Sequence, residues 1–154
     1  MRFKLGKRAD YAVRATLALA QPGPSRRKAR SIAEAMAIPE TYVPQILADL
    51  VRAGICASQA GPEGGYALAR DAAEISLLDV IEAVEPEIRS TECILRGGPC
   101  RWEDACAVHE TWARAQDALL DELASSSFQD LAMIDTALRQ AEQEAERQAE
   151  QAAT

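Results

Sequence analysis

The sequence predicts a mainly α-helical fold carrying one small β-hairpin. Three observations predict it. Two short helical segments flank a tight turn within residues 31–53, a glycine-rich hairpin signal follows at 55–69, and an apolar stripe of helical period runs through 103–123. No apolar run approaches the roughly 18 residues that a membrane span needs. No long apolar segment follows the basic residues near Met1, so the expected location is the cytoplasm, with no membrane partner.

Taken in order, residues 8–20 read as a helix with Asp10 in its first turn, where a carboxylate suits the positive end of the helix dipole. Residues 21–30 (QPGPSRRKAR) are a Pro/Gly loop ending in a basic cluster. Ser31-Ile-Ala-Glu34 has the form of a capping box and predicts a short helix over 31–36. Ala37 and Ile38 make the turn. A second helix runs from about Glu40 to Ala53 and stops at Gly54, with Ile46, Leu47, Leu50 and Val51 as its core face. Two short helices joined by a tight turn are a helix-turn-helix.

The hairpin comes next, with strands at 55–59 and 66–69 and a tip at 60–65 (AGPEGG). Placed directly after the second helix it is a wing, and its glycines permit positive φ and close approach to a phosphate backbone. Cys56, beside Ile55 in the first strand, reads as a buried core thiol. Ser76-Leu-Leu-Asp79 caps a helix over 76–84, and residues 86–102 are irregular, with Pro86, Gly97, Gly98 and Pro99. From about Glu103 to Leu123 the pattern is helical again. Val108, Trp112, Ala115, Leu119 and Leu123 form one stripe on a helix too long for this chain to cover alone, which points to a homodimer. A further helix is expected at 128–138. The expected organisation is a winged helix-turn-helix DNA-binding domain at 1–85, a cysteine-rich loop at 86–107, dimerisation helices within 103–138 and a polar tail at 139–154.

Charge divides the same way. Residues 1–60 carry ten Lys and Arg against four Asp and Glu, a net +6, while the remainder carries seven against twenty, a net −13. Screening over about 8 Å at physiological salt makes the local +6 matter more to a phosphate backbone than the global −7.

Cys93, Cys100 and Cys106 are spaced by seven and six positions, and His109 follows Cys106 by three. Thiolates are soft ligands that select iron–sulfur clusters, zinc or copper(I). Cys93, Cys100, Cys106 and His109 also make a good zinc set, and a metal-free redox switch needs only the thiols. Cys106 and His109 are expected together on the first turn of the long helix. An enzyme is not expected. A Cys–His pair on one helical turn is a poor nucleophile–base arrangement, and no glycine-rich phosphate loop or paired acidic site accompanies it.

The stretches 8–13 (RADYAV), 32–34 (IAE), 50–55 (LVRAGI), 61–68 (GPEGGYAL) and 80–85 (VIEAVE), with the three-cysteine loop, carry a resemblance to a known family. Over residues 1–138 the chain resembles the Rrf-type family of bacterial winged helix-turn-helix transcription regulators. The resemblance implies a homodimer on a double-stranded DNA operator, with the second helix of the motif in the major groove and the wing in the minor groove. It implies a [2Fe–2S] or [4Fe–4S] cluster on Cys93, Cys100 and Cys106. The fourth ligand is then either a His just beyond the third cysteine, here His109, or an Asp at the start of the first helix of the other subunit, here Asp10. The implied function is a regulator, read as a repressor, whose operator affinity follows redox state, nitric oxide or iron. Cluster-free members also exist.

Two residues depart from the family pattern: Ala60 stands where many members place an Arg before the wing glycine, and Pro44 where many offer a base-edge hydrogen bond. Thr41, Tyr42 and Gln45 at the exposed start of the second helix are the expected base and phosphate contacts. Arg26, Arg27, Lys28, Arg30 and Ser31 suit phosphates, and the tip with Gly61, Pro62, Gly64 and Gly65 is expected along the backbone.

Overall fold

The computed structural model describes residues 5–89, 93, 95, 98 and 106–152. Its centre is the first helix, α1 (Lys7–Ala20), whose Ala9, Ala12, Ala15 and Ala18 are buried at three-residue spacing. With only methyl groups on that face, other helices approach α1 closely. Those helices are α2 (Ala29–Met36), α3 (Val43–Arg52), α4 (Leu77–Val84) and α6 (Phe128–Ala152). Thr16, also fully buried on α1, donates its hydroxyl to the Ala12 carbonyl at 2.8 Å, so no polar group is stranded there.

Between α3 and α4 lies the hairpin, β1 (Cys56–Gln59) paired antiparallel with β2 (Gly65–Leu68) in the register Cys56–Leu68 to Gln59–Gly65. Arg27 adds a backbone bridge on the outer side of β2, exchanging both hydrogen bonds with Tyr66 at 2.9 Å. Cys56 is buried as expected, and burial pushes its thiol up to about 12 from 9.0. Above pH 9 the unfolded thiol ionises while the folded one keeps its proton, so stability falls as pH rises from 9 toward 12 and is unaffected below. Wild type should therefore lose more stability than Cys56→Ala between about pH 8 and about pH 10.5, by up to about 1.4 kcal/mol per pH unit above 9. Urea unfolding at the two pH values checks this, and parallel losses in the two proteins would refute it.

Several boundaries differ from expectation. Helix α2 starts at Ala29 with Lys28 as its N-cap and no side-chain cap. Ser31 is therefore inside the first turn, and the expected Ser31–Glu34 capping box does not form. The Arg27–Tyr66 bridge fixes the chain just before α2 and sets where it begins, while Glu34 pairs with Arg30 instead. The box at Ser76 does form: Ser76 Oγ accepts from Asp79 N at 3.1 Å, and the Asp79 carboxylate accepts from Ser76 N at 3.0 Å. Helix α3 begins at Val43 rather than Glu40, after a turn in which Tyr42 N–H donates to Pro39 O at 2.9 Å. Pro44 sits in the first turn of α3, where a backbone N–H has no intrahelical acceptor and its loss is harmless.

Beyond α4 a short 3-10 turn (Pro86–Arg89) leads toward the cysteine loop. The long helix, α5, spans His109–Ser125; the expected start at Glu103 lies outside the described residues. Helix α6 continues through Ala152, so the helix expected at 128–138 absorbs most of the polar tail. The α5–α6 corner is hooked onto the N-terminal half. Leu77 N–H donates to Ser126 O at 2.9 Å, Phe128 N–H to Ile75 O at 2.8 Å, and the Phe128 ring is fully buried. From there α6 returns along α1. Gln21 Nε2 donates to Asp135 at 2.6 Å, and Arg139 donates to both Asp135 at 2.8 Å and Met36 Sδ at 3.2 Å.

Candidate nucleic-acid interface and cysteine loop

The turn between α2 and α3 is made by Ala37 in the left-handed region (φ 51°) and closed by Ile38 N–H donating to Ala33 O at 2.9 Å. That bond buries Ile38 and turns the chain into α3, whose Val43, Ile46, Leu47 and Leu50 face the core. The opposite face is exposed and carries Thr41, Tyr42, Pro44, Gln45 and Ala48. Thr41, Tyr42 and Gln45 thus share an open surface. Tyr42 is steadied by Tyr11 of α1, ring centroids 5.3 Å apart at 55°.

The pose of α3 is fixed by a group the sequence reading missed. Asp49 is buried on α3 and accepts from Arg8 of α1 at 2.5 Å and from Arg52 at 2.8 Å. A buried carboxylate between two guanidinium groups is well compensated. It ties the exposed face of α3 to the central helix. Arg8 and Asp49 lie 41 positions apart, beyond the reach of local pattern.

The basic cluster is engaged within the chain. Arg27 donates from its guanidinium to Pro22 O at 3.2 Å. Lys28 Nζ donates to Gly61 O at 3.0 Å and Pro62 O at 2.7 Å. Arg30 pairs with Glu34 at 2.9 Å and Glu40 at 3.7 Å, and both carboxylates raise its pKa. Arg26 is half-buried, and its Nη1 is enclosed with no hydrogen-bond partner among the described residues. Ser31 is exposed.

The wing tip is a turn in which Gly64 N–H donates to Gly61 O at 3.1 Å. Gly61, Pro62 and Glu63 are exposed, whereas Gly64 and Gly65 are buried. The last two glycines serve close approach within the chain. A Cβ on Gly64 would lie 2.1 Å from Gln59 O, and one on Gly65, at φ +141°, would lie 2.6 Å from Arg27 O. Of the tip residues 60–65, Ala60, Gly61, Pro62 and Glu63 are open to a ligand.

At the other end of the domain, Cys93 and Cys106 are half-exposed free thiols. Cys93 N–H donates to Gly98 O at 2.8 Å, with Gly98 at φ +70°, which brings residues 93 and 98 together. Cys106 lies just before α5, and its backbone carbonyl accepts from His109 N–H at 3.2 Å, so one turn joins the two residues while the helix itself begins at His109. Cys100 lies outside the described residues. Asp10 is on α1, its carboxylate accepting from Arg14 at 2.9 Å.

No residue of α5 is buried. Val108 is 45% exposed and Ala115 is exposed, while Trp112 and Leu119 are half-covered. Leu123 is different: it packs against the chain's own core, which the sequence stripe did not distinguish. Met133, Ile134 and Leu138 of α6 are 66%, 56% and 65% exposed, an apolar surface that sequence analysis did not single out. Among the described residues no helix is long and apolar enough to cross a membrane.

Comparison with known proteins accords with this architecture. The family model for Rrf2, described as an iron-dependent transcriptional regulator, matches residues 5–150. The transcriptional regulator IscR of Photorhabdus laumondii is 35% identical over 144 residues, covering 89% of this chain and 86% of that protein. The structure of CymR, the global cysteine regulator of B. subtilis, superposes with a TM-score of 0.73 at 28% identity, over 86% of this chain and 98% of CymR. T. potens IscR superposes with a TM-score of 0.64 at 26% identity, over 88% of each chain. With family model, relatives and winged helical fold in agreement, the chain belongs to the Rrf2 family of transcription regulators, which are not enzymes.

Proposed function

We propose that this regulator is a homodimeric repressor that binds duplex DNA through α3 and the wing, and that an iron–sulfur cluster on Cys93, Cys100 and Cys106 sets its operator affinity. The observation that carries this reading is the junction of Cys106 with α5. Cys106 abuts the first turn of a helix with no buried residue, and the far end of that helix is hooked into the DNA-binding half by Phe128. A change at the cysteine loop therefore has a rigid route to α3.

The donor chemistry supports a cluster, since Cys93 and Cys106 are accessible soft donors, although among the described residues no three His, Cys, Asp or Glu side chains are grouped to hold a metal. When bound, the cluster supplies a redox-active centre that also answers to nitric oxide and iron supply. The chain's own part is mechanical. Cys93 and Cys106 tether the loop ends, which fixes the start of α5, and α5 with its partner copy fixes the spacing of two α3 helices. Val108, Trp112, Ala115 and Leu119 form the dimer seam, where their incomplete covering within one chain would be relieved. His109 and Asp10 remain the two fourth-ligand candidates, and Asp10 must release Arg14 to serve.

Anaerobic purification tests the reading. Wild type should show visible charge-transfer absorption, and its DNA affinity should change on oxidation. Cys100→Ala should lose both, and whichever of His109→Ala and Asp10→Ala alters the absorption names the fourth ligand. Equal DNA affinity in wild type and Cys100→Ala under both conditions would refute it. A thiol or zinc switch on the same cysteines is the second reading, favoured by the structural likeness to a global cysteine regulator. It predicts redox-dependent or zinc-dependent DNA affinity without visible absorption.

A further inference from the structure

We propose that Lys28 is a positioning residue that braces the wing tip for DNA, rather than one of the phosphate contacts its place in the basic cluster suggests. The inference rests on the DNA-binding reading above and goes beyond it in assigning how the wing is held.

The wing has two strands of four residues each. An isolated two-stranded hairpin of that size is marginal in water, so its pose must come from what it leans on. One contact lies along the outer edge of β2, one residue from its tip end, where the backbone of Arg27 exchanges two hydrogen bonds with Tyr66, both at 2.9 Å. That bridge fixes the backbone of the next residue, Lys28, relative to β2. From this fixed point the Lys28 side chain reaches the tip and donates to two consecutive carbonyls, Gly61 O at 3.0 Å and Pro62 O at 2.7 Å. Both carbonyls belong to the exposed turn, and Gly61 O also accepts from Gly64 N–H at 3.1 Å. The ammonium group therefore clamps the turn, while the backbone of Lys28 stands at the N-cap position of α2. One residue thus couples the entry to the helix-turn-helix with the end of the wing.

The electrostatics of the tip support the assignment. Its exposed residues are Gly61, Pro62 and Glu63, with Ala60 before them, so the tip itself carries no cation and one anion. Turn carbonyls and a carboxylate facing phosphates are unfavourable unless a positive charge stands behind them. Lys28 is the cation in hydrogen-bond contact with that turn. An ammonium holding two carbonyls makes charge-assisted bonds, stronger than neutral ones and lost together if the side chain is removed.

The experiment uses the full-length protein and a mixed-sequence duplex of about 30 base pairs, titrated between about 50 and 200 mM salt. As a brace, Lys28→Met should weaken duplex binding about five- to tenfold while leaving the slope of log K against log salt unchanged, because no phosphate-bound cation is lost. Amide exchange at Gly64 should quicken in the DNA-free variant, since its acceptor Gly61 O is no longer held. The loss from Lys28→Met should also shrink in a Pro62→Gly background, where the clamped turn is already loosened. A fall in the salt slope by about one unit, with full additivity to Pro62→Gly, would assign Lys28 to a phosphate and overturn the proposal. Unchanged Gly64 exchange would overturn it without reference to DNA. Failure of the wild type to bind any duplex would instead remove the DNA-binding reading itself.

Discussion

Replacing Phe128 by Ala should lower the unfolding free energy by about 3–5 kcal/mol, a large share of the roughly 5–15 kcal/mol typical of a domain. The ring is fully buried and sits among the core residues of the N-terminal half, although it belongs to the first turn of α6. Its removal leaves a cavity in a close-packed core that relaxes only in part around the missing ring. The backbone bonds Phe128 N–H to Ile75 O and Leu77 N–H to Ser126 O hold the corner in place, so collapse into the cavity is resisted. Urea unfolding followed by far-UV circular dichroism checks the figure, and a loss below about 1 kcal/mol would show that the site can close. Because the same residue joins α5 to the DNA-binding half, the variant should also respond less to oxidation in the DNA-binding assay.

The second large effect is expected at Gly64. A Cβ there would lie 2.1 Å from Gln59 O and 2.6 Å from Ala60 O, both backbone atoms that cannot step aside without opening the hairpin. Gly64→Ala should cost about 1–3 kcal/mol of local stability, in line with other overpacking substitutions. Duplex affinity should drop by about tenfold or more, the equivalent of 1.4 kcal/mol or above. Glu63→Ala, one residue earlier on the exposed side of the tip, should change thermal stability little, within about 0.5 kcal/mol. Calorimetry and a mobility-shift titration on the two variants read both quantities. A Gly64→Ala protein with wild-type affinity would mean that the wing takes no part in binding.

How much of this was legible in the sequence depends on the distance over which each feature is determined. The helix-turn-helix, the hairpin and the Ser76 capping box are written in residues a few positions apart, and all three formed. The Ser31 box had the same local form and failed, because a backbone bridge between residues 27 and 66 had already set where α2 begins. Asp49 between Arg8 and Arg52, Lys28 on the wing tip and Phe128 in the core were invisible for a related reason. Each joins residues whose adjacency exists only after folding. The basic cluster illustrates the limit most clearly. Counting charges placed Arg27, Lys28 and Arg30 as open phosphate contacts, whereas the folded chain supplies each with acceptors of its own. The dimer stripe was legible as a period but not as a set of environments. Leu123 faces the chain's own core, and the exposed Met133, Ile134 and Leu138 fell outside the stripe altogether.

The hook at Phe128 also has a consequence for synthesis on the ribosome. The helices of the N-terminal half are complete once residue 84 has emerged, yet their core lacks its largest fully buried side chain until residue 128 follows. Gln21 then waits still longer for Asp135, 114 positions away. At about 5–20 residues per second the interval between Val84 and Phe128 lasts about 2–9 s. For that interval the nascent helix-turn-helix has its outline but an open seam beside α1. A transcript truncated within the cysteine loop would therefore yield a chain with every residue of α3 and the wing and no stable platform to present them.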